Sequence, residues 1–303
     1  MRDFEGTIGR TIHESEPHWP TSERADGQPN VVFVIFDDVG FSDFGCYGSE
    51  IKTPTLDRLA RAGLRYRNFH TTGLCSATRA SLLTGRNHHR VGMGTLADWD
   101  LGFPGSRGRV SRQAATLAEV LRPVGWNTFA VGKWHLTPMV ETTGAGPYTD
   151  WPLARGFDRF YGFFDGETNH WKPELTYDNH RIPVPEQPEY HLTADLIDRS
   201  IEFIRDQKSV TPEKPFFLNL AFGACHAPHQ APARYIEPYV EVFADGYDAT
   251  RERRLARQIE LGIVPEGTAL TPRHHAVKAW NELSEDRQLT FNHLQAAYAG
   301  MLE

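Results

Sequence analysis

The patterning of this sequence predicts an α/β sandwich built around a largely parallel sheet. Three observations carry that prediction. Short continuous apolar runs end in polar clusters, stretches with helical apolar spacing lie between them, and Gly, Pro and Thr punctuate the joints. In such sheets chemistry gathers at the carboxyl ends of the strands, and the informative polar clusters here fall just after apolar runs.

Residues 1–29 read as an irregular leader rich in Glu, Ser, Thr and Pro. The run Asn30-Val31-Val32-Phe33-Val34-Ile35-Phe36 predicts a strand buried on both faces, ending in Asp37-Asp38-Val39-Gly40. A helix is expected next, with Thr53 as N-cap, Pro54 at the first helical position and Gly63 just past the end. Leu56, Leu59 and Ala60 give it an apolar face. Residues 64–69 alternate as a second strand. Residues 112–124 read as a helix with Ala115, Leu117, Ala118 and Leu121 inward, closed by Gly125, and residues 126–131 as a third strand. Leu192, Leu196, Ile197, Ile201 and Ile204 mark another amphipathic helix, and residues 215–222 another strand. Residues 141–188, rich in Gly, Pro and aromatics, read as a long decorated insertion near the mouth of a site. Leu294, Ala297, Tyr298, Met301 and Leu302 keep helical spacing up to Glu303 without a stop signal, so an incomplete carboxyl end is expected.

A chain of 303 residues can bury one large core, with room for a small appendage. A net charge of -7 argues against a general nucleic-acid binder. The densest basic stretch, Arg251-Glu252-Arg253-Arg254, reads as a solvated helix face. No apolar run approaches the roughly 20 residues that cross a bilayer, so no membrane partner is expected. The first residues are polar and carry no apolar export signal, which predicts a cytoplasmic protein. Cys46, Cys75 and Cys225 are few, odd in number and far apart, a pattern that suits a reducing compartment.

Four clusters carry chemistry. Asp37 and Asp38 are adjacent carboxylates at a strand end, costly unless a cation compensates them, although a turn role for one of them accounts for the pair equally well. Cys75-Ser76-Ala77-Thr78-Arg79 taken alone reads as an ordinary buried thiol near an arginine. Lys133 and His135, in Gly132-Lys133-Trp134-His135, lie two apart on an extended segment and face the same side. His226 sits in Cys225-His226-Ala227-Pro228-His229; adjacent residues on a strand face opposite ways, so Cys225 and His226 make a poor nucleophile pair. Gly92-Met93-Gly94 lacks the context of a dinucleotide fold. The pairs His88-His89 and His274-His275 would point apart in an extended chain, with no zinc partners evident.

In their order and content these clusters resemble the formylglycine-type sulfatases, most of all the long bacterial arylsulfatase group. The signature there is a cysteine, any residue, Pro or Ala, any residue and Arg, then a short helix ending at Thr-Gly, here Thr84-Gly85. The resemblance implies an alkaline phosphatase-like three-layer sandwich, with residues 30–303 as the N-terminal part of a catalytic domain whose carboxyl portion is missing. It implies hydrolysis of a small aryl or alkyl sulfate ester, after a formylglycine-generating maturation enzyme has oxidised Cys75. One hydroxyl of the hydrated aldehyde attacks sulfur and the alcohol leaves; the other expels sulfate as the aldehyde re-forms. By the same resemblance Asp37, Asp38 and residue 75 hold a divalent cation, usually Ca2+ with Mg2+ possible. Arg79 holds that arrangement together, Lys133 contacts sulfate, His135 contacts the formylglycine hydroxyl, and His226 binds sulfate and protonates the leaving oxygen.

Two departures stand out. Ala77 replaces the commoner Pro, and no apolar strand followed by Asp-Asn, nor a second sulfate-contacting lysine, follows His226. Asp178-Asn179 precedes His226 and reads as a loop turn. Cation affinity is therefore expected to be low. A catalytically incomplete fragment and a phosphatase or phosphonate hydrolase of the same fold stay open as alternatives.

Overall fold

The structure is a computed structural model that describes residues 4–18 and 27–303. Strands β1 (Val31–Ile35), β2 (Asn127–Lys133), β3 (Arg159–Phe163), β4 (Leu175–Tyr177), β5 (His180–Ile182) and β6 (Phe216–Ala221) form one sheet in the order β1-β6-β2-β3-β4-β5. The pairs β1–β6, β6–β2 and β2–β3 are parallel; β4 and β5 add antiparallel at one edge. Among the described residues the α-helices are α1 (Pro54–Ala62), α2 (Cys75–Thr84), α3 (Leu117–Leu121), α4 (Leu192–Val210), α5 (Ala233–Val242), α6 (Gly246–Glu260) and α7 (Glu285–Leu302).

Alternation along the central strands splits the core into two layers. Phe129, Val131, Leu218 and Leu220 pack on Leu192, Leu196 and Phe203 of α4. Ala130 and Phe217 face the other way, onto Ala80 and Leu83 of α2, Ala118 of α3, Trp134 and Phe157. Helices thus cover both faces of the middle of the sheet. Burying a side chain such as Phe217, which has no exposed surface, stabilises the fold by about 1.5–3 kcal/mol. Central glycines let the strands close up: a Cβ at Gly132, where φ is 99°, would run into the Ala221 carbonyl oxygen of β6.

The structure corrects several expectations. Among the described residues β1 is an edge strand paired only with β6, and Val32 and Val34 are 45% and 47% exposed, so it is not buried on both faces. The apolar run reflected one packed face and one bare one. Helix α1 has the expected bounds but buries no residue, and Leu59 is exposed. Thr53 is its N-cap residue as expected, but its side chain bonds no N–H of the first turn; the hydroxyl accepts from Gly45 N and donates to Asp57. Residues 64–69 form no strand and are exposed, because alternation without a neighbouring strand gives the backbone nothing to pair with. The helix expected over residues 112–124 begins only at Leu117, where Thr116 and Glu119 form a capping box, and Arg122–Val124 tightens into a 3-10 turn. The stretch 141–188 is more than a decorated loop, since it supplies β3, β4 and β5. Asp178 does sit in a turn, the one between β4 and β5, in a left-handed conformation. In the basic stretch Arg254 is not solvated; it lies against Glu50 and Asp43. The rings of His88 and His89 lie side by side at 4.1 Å, because a 3-10 turn replaces the extended chain, and those of His274 and His275 do so at 4.3 Å. Within the leader, residues 1–3 and 19–26 lie outside the described residues; Ile12–Glu14 form a 3-10 turn and Thr7 bridges Glu16.

Candidate active site

Because β1, β6 and β2 run parallel, the segments after them emerge at one edge of the sheet. Asp37 follows β1, Lys133 ends β2 with His135 just beyond, and Cys225 and His226 follow β6. Helix α2 points its N-terminus at the same place, with Cys75 as its first residue. Cys75 and Arg79 are four apart on α2 and share a face.

Five expected residues gather here in two sets, each joined by direct contacts. The Asp37 carboxylate, 3% exposed, accepts from an Arg79 terminal nitrogen at 3.2 Å and from Lys133 Nζ at 2.5 Å, one oxygen each. Arg79 also donates to the Lys133 carbonyl at 3.0 Å, and Lys133 Nζ to the Gly166 carbonyl. Cys75 Sγ lies 3.1 Å from His135 Nδ1. His135 takes φ of 50° and is held by its backbone N–H donating to the Phe164 carbonyl. Such left-handed conformations cluster at functional sites.

Burial works against the Cys75 thiolate, yet the hydrogen bond with His135 and the charge of Lys133 outweigh it and bring the thiol down to about 7. Burial likewise works against a charged His135 ring, but its hydrogen bonds with Asp98 and Cys75 raise its pKa above the ordinary histidine value. Cys225 behaves oppositely. It is 1% exposed, and burial, reinforced by Asp43 and Asp37, pushes its thiol well up. That thiol is a core group, not a nucleophile.

Asp38 and His226 form a second group. Asp38 is left-handed with φ of 57°, its carboxylate is 64% exposed, and it stands 3.6 Å from His226 Nε2. His226 Nδ1 lies 2.7 Å from the Ala227 carbonyl oxygen and 3.8 Å from Glu167. The backbone ties the two groups together, with Asp37 N–H donating to the Ala224 carbonyl and Cys225 N–H to the Asp37 carbonyl.

Sequence reasoning missed three participants. Asp98 lies 3.4 Å from His135 Nε2, Gly166 accepts from Lys133, and Glu167 faces His226. None sits in a periodic element, and no spacing singled them out.

For a divalent cation the donors match in kind and fall short in number. A hard cation takes six to eight oxygens. Here both Asp37 oxygens are already in ion pairs, Asp38 is the one further carboxylate from the expected pair, and no group of three His, Cys, Asp or Glu among the described residues is arranged to hold a metal.

A mostly parallel sheet with thiol, imidazole, ammonium, guanidinium and carboxylate groups gathered at its strand ends defines an α/β protein with one polar cluster at the edge of its sheet. The chain belongs to the sulfatase family, whose model, described as Sulfatase, matches residues 29–302. It is 34% identical over 299 residues to an uncharacterized sulfatase of Schizosaccharomyces pombe, covering 91% of this chain and 52% of that protein. It is 30% identical over 289 residues to the arylsulfatase of Klebsiella aerogenes, covering 91% and 59%. The chain thus spans between half and three-fifths of the length of these relatives. Among solved structures, yidJ of Bacteroides fragilis shares the fold with a TM-score of 0.64 at 21% identity, over 94% of this chain and 56% of that one. The phosphonate monoester hydrolase of Agrobacterium radiobacter also shares it, with a TM-score of 0.51 at 23% identity, over 91% and 56%. The alkaline phosphatase-like sandwich expected from the sequence is therefore the fold of this chain.

Proposed function

We propose that this chain forms the thiol-bearing part of a sulfuric ester hydrolase that cleaves an aryl or alkyl sulfate to alcohol and sulfate. The observation that carries the reading is the cluster of half-buried Cys75 with buried His135, Lys133, Arg79 and Asp37 at the N-terminus of α2, in a chain of the sulfatase family. Oxidation of Cys75 to formylglycine by a maturation enzyme supplies a hydrated aldehyde as nucleophile. The free N–H groups and dipole of α2 favour an anion beside residue 75. Lys133 adds positive charge there while Asp37 and Arg79 hold it in place. His135 Nδ1 takes up a proton from residue 75, and His226, whose side chain is a quarter exposed, donates one to the leaving oxygen. Asp37 and Asp38 are the oxygens this chain would bring, with residue 75, to a calcium or magnesium ion. A cytoplasmic location is part of the same reading, supported by three cysteines that stand as free thiols.

The test is the intact mass of the purified chain, with tandem mass spectrometry of the peptide spanning Cys75. Expression beside a maturation enzyme should lower its mass by about 18 Da, the difference between cysteine and formylglycine. Cys75→Ala should then abolish turnover of a chromogenic aryl sulfate. Turnover surviving in that variant would remove the mechanism, and an unmodified Cys75 under competent expression would remove its formylglycine part.

A further inference from the structure

We propose that Asp98 is a positioning residue that fixes the tautomer of His135, leaving Nδ1 bare toward residue 75. The inference rests on the hydrolase reading for its consequence but on geometry for its substance. His135 is 2% exposed and its two ring nitrogens face different partners: Nδ1 lies 3.1 Å from Cys75 Sγ and Nε2 lies 3.4 Å from Asp98 Oδ2. A carboxylate can only accept, so the nitrogen facing it carries the hydrogen. In a neutral ring the other nitrogen is then an acceptor, which is what a group relieving residue 75 of a proton requires.

The loop that bears Asp98 is anchored to the element that bears Cys75. Ala97 N–H donates to the hydroxyl of Ser76, a side chain with no exposed surface, at 3.1 Å. Asp98 and Cys75 are therefore set relative to one another by adjacent residues on each side, with His135 between them. The ring has little room to turn, because Gly166 packs against it: a Cβ at Gly166 would lie 2.8 Å from His135 Cε1. Asp98 itself keeps 23% of its side chain exposed, so its removal opens no core cavity.

The experiment uses the full chain labelled with 15N-histidine, its ring resonances recorded above the pKa of His135 and assigned by their loss in His135→Gln. Wild type should show a single Nε2–H tautomer. Asp98→Ala should give a mixture, with kcat on an aryl sulfate about 10- to 100-fold lower and KM within about twofold. Should Asp98→Ala not fold, the isosteric Asp98→Asn serves, and there the amide N–H can face Nε2 and drive the hydrogen to Nδ1. Variants that keep the single wild-type tautomer overturn the proposal, as does a loss confined to KM. If the tautomer shifts but wild type turns over no sulfate ester, the hydrolase reading falls and the positioning role stands. If wild type turns over and the tautomer does not move, the reverse holds.

Discussion

Asp37 and Asp38 share a peptide bond and a chemistry, yet the fold treats them oppositely. Asp37 is 3% exposed, each carboxylate oxygen faces a buried cation, and both its backbone polar groups are bound to the segment after β6. Asp38 turns into the left-handed region, leaves its carboxylate 64% exposed, and has His226 Nε2 3.6 Å from that carboxylate. The adjacent carboxylates are thus no symmetrical dyad. One is a counter-ion built into the junction of β1, β2 and α2, and the other is an open group that can meet a ligand. The cation that offsets Asp37 in this structure is the Arg79–Lys133 pair.

The sharpest break of that comparison is removal of Asp37. Asp37→Ala leaves Arg79 and Lys133, 4% and 2% exposed, as buried charges without their carboxylate. Breaking a buried ion pair from one side costs about 3–5 kcal/mol. Urea unfolding should show a loss of that size. A loss below about 1 kcal/mol would mean that the two cations find other partners, and Asp37 would then be no more structural than its neighbour.

The contrast repeats in the thiols. With its thiol brought down to about 7, Cys75 in the unmodified chain is about half thiolate at pH 7, against a few per cent for an ordinary cysteine. The thiolate is the reactive form, so alkylation should speed up as pH rises and level off above the pKa. Iodoacetamide should label Cys75 with a half-maximal rate near pH 7 and leave Cys225, buried and shifted up, unlabelled until the chain is denatured. Equal labelling of both would show that position in the fold does not separate them.

What was legible in the sequence follows the same division between packed and open groups. The central strands β2 and β6 and helices α4 and α7 could be read directly, since apolar runs and residue spacing report groups that the core holds in register, whereas the gathering of Cys75 and Arg79 with Lys133 and His135 was expected only from the resemblance to sulfatases. The same signals misled at the open edge. Val32 and Val34 look like core residues and lie exposed on β1, and residues 64–69 alternate as a strand would with no strand to join. An apolar residue reports what it could bury, not whether a neighbour arrives to cover it. Asp98 was illegible for another reason. It reaches His135 from a loop without periodicity, through a hydrogen bond of Ala97 to Ser76 that no local pattern encodes.

The smallest effect is expected at Asp38, and it is the most informative about function. With φ of 57° this position strains most side chains, because the left-handed region brings Cβ against the following carbonyl at a cost of about 1–2 kcal/mol. Asn tolerates that region as Asp does, and it removes the charge while keeping shape and an acceptor oxygen. Asp38→Asn should therefore unfold within about 0.5 kcal/mol of wild type in urea, whereas Asp38→Ala should be less stable than Asp38→Asn by about 1 kcal/mol. A larger loss in Asp38→Asn would place Asp38 beside Asp37 as a structural charge. With stability unchanged, any fall in sulfate ester turnover in that variant belongs to the missing negative charge at the mouth of the site, and the two carboxylates are then divided between fold and ligand.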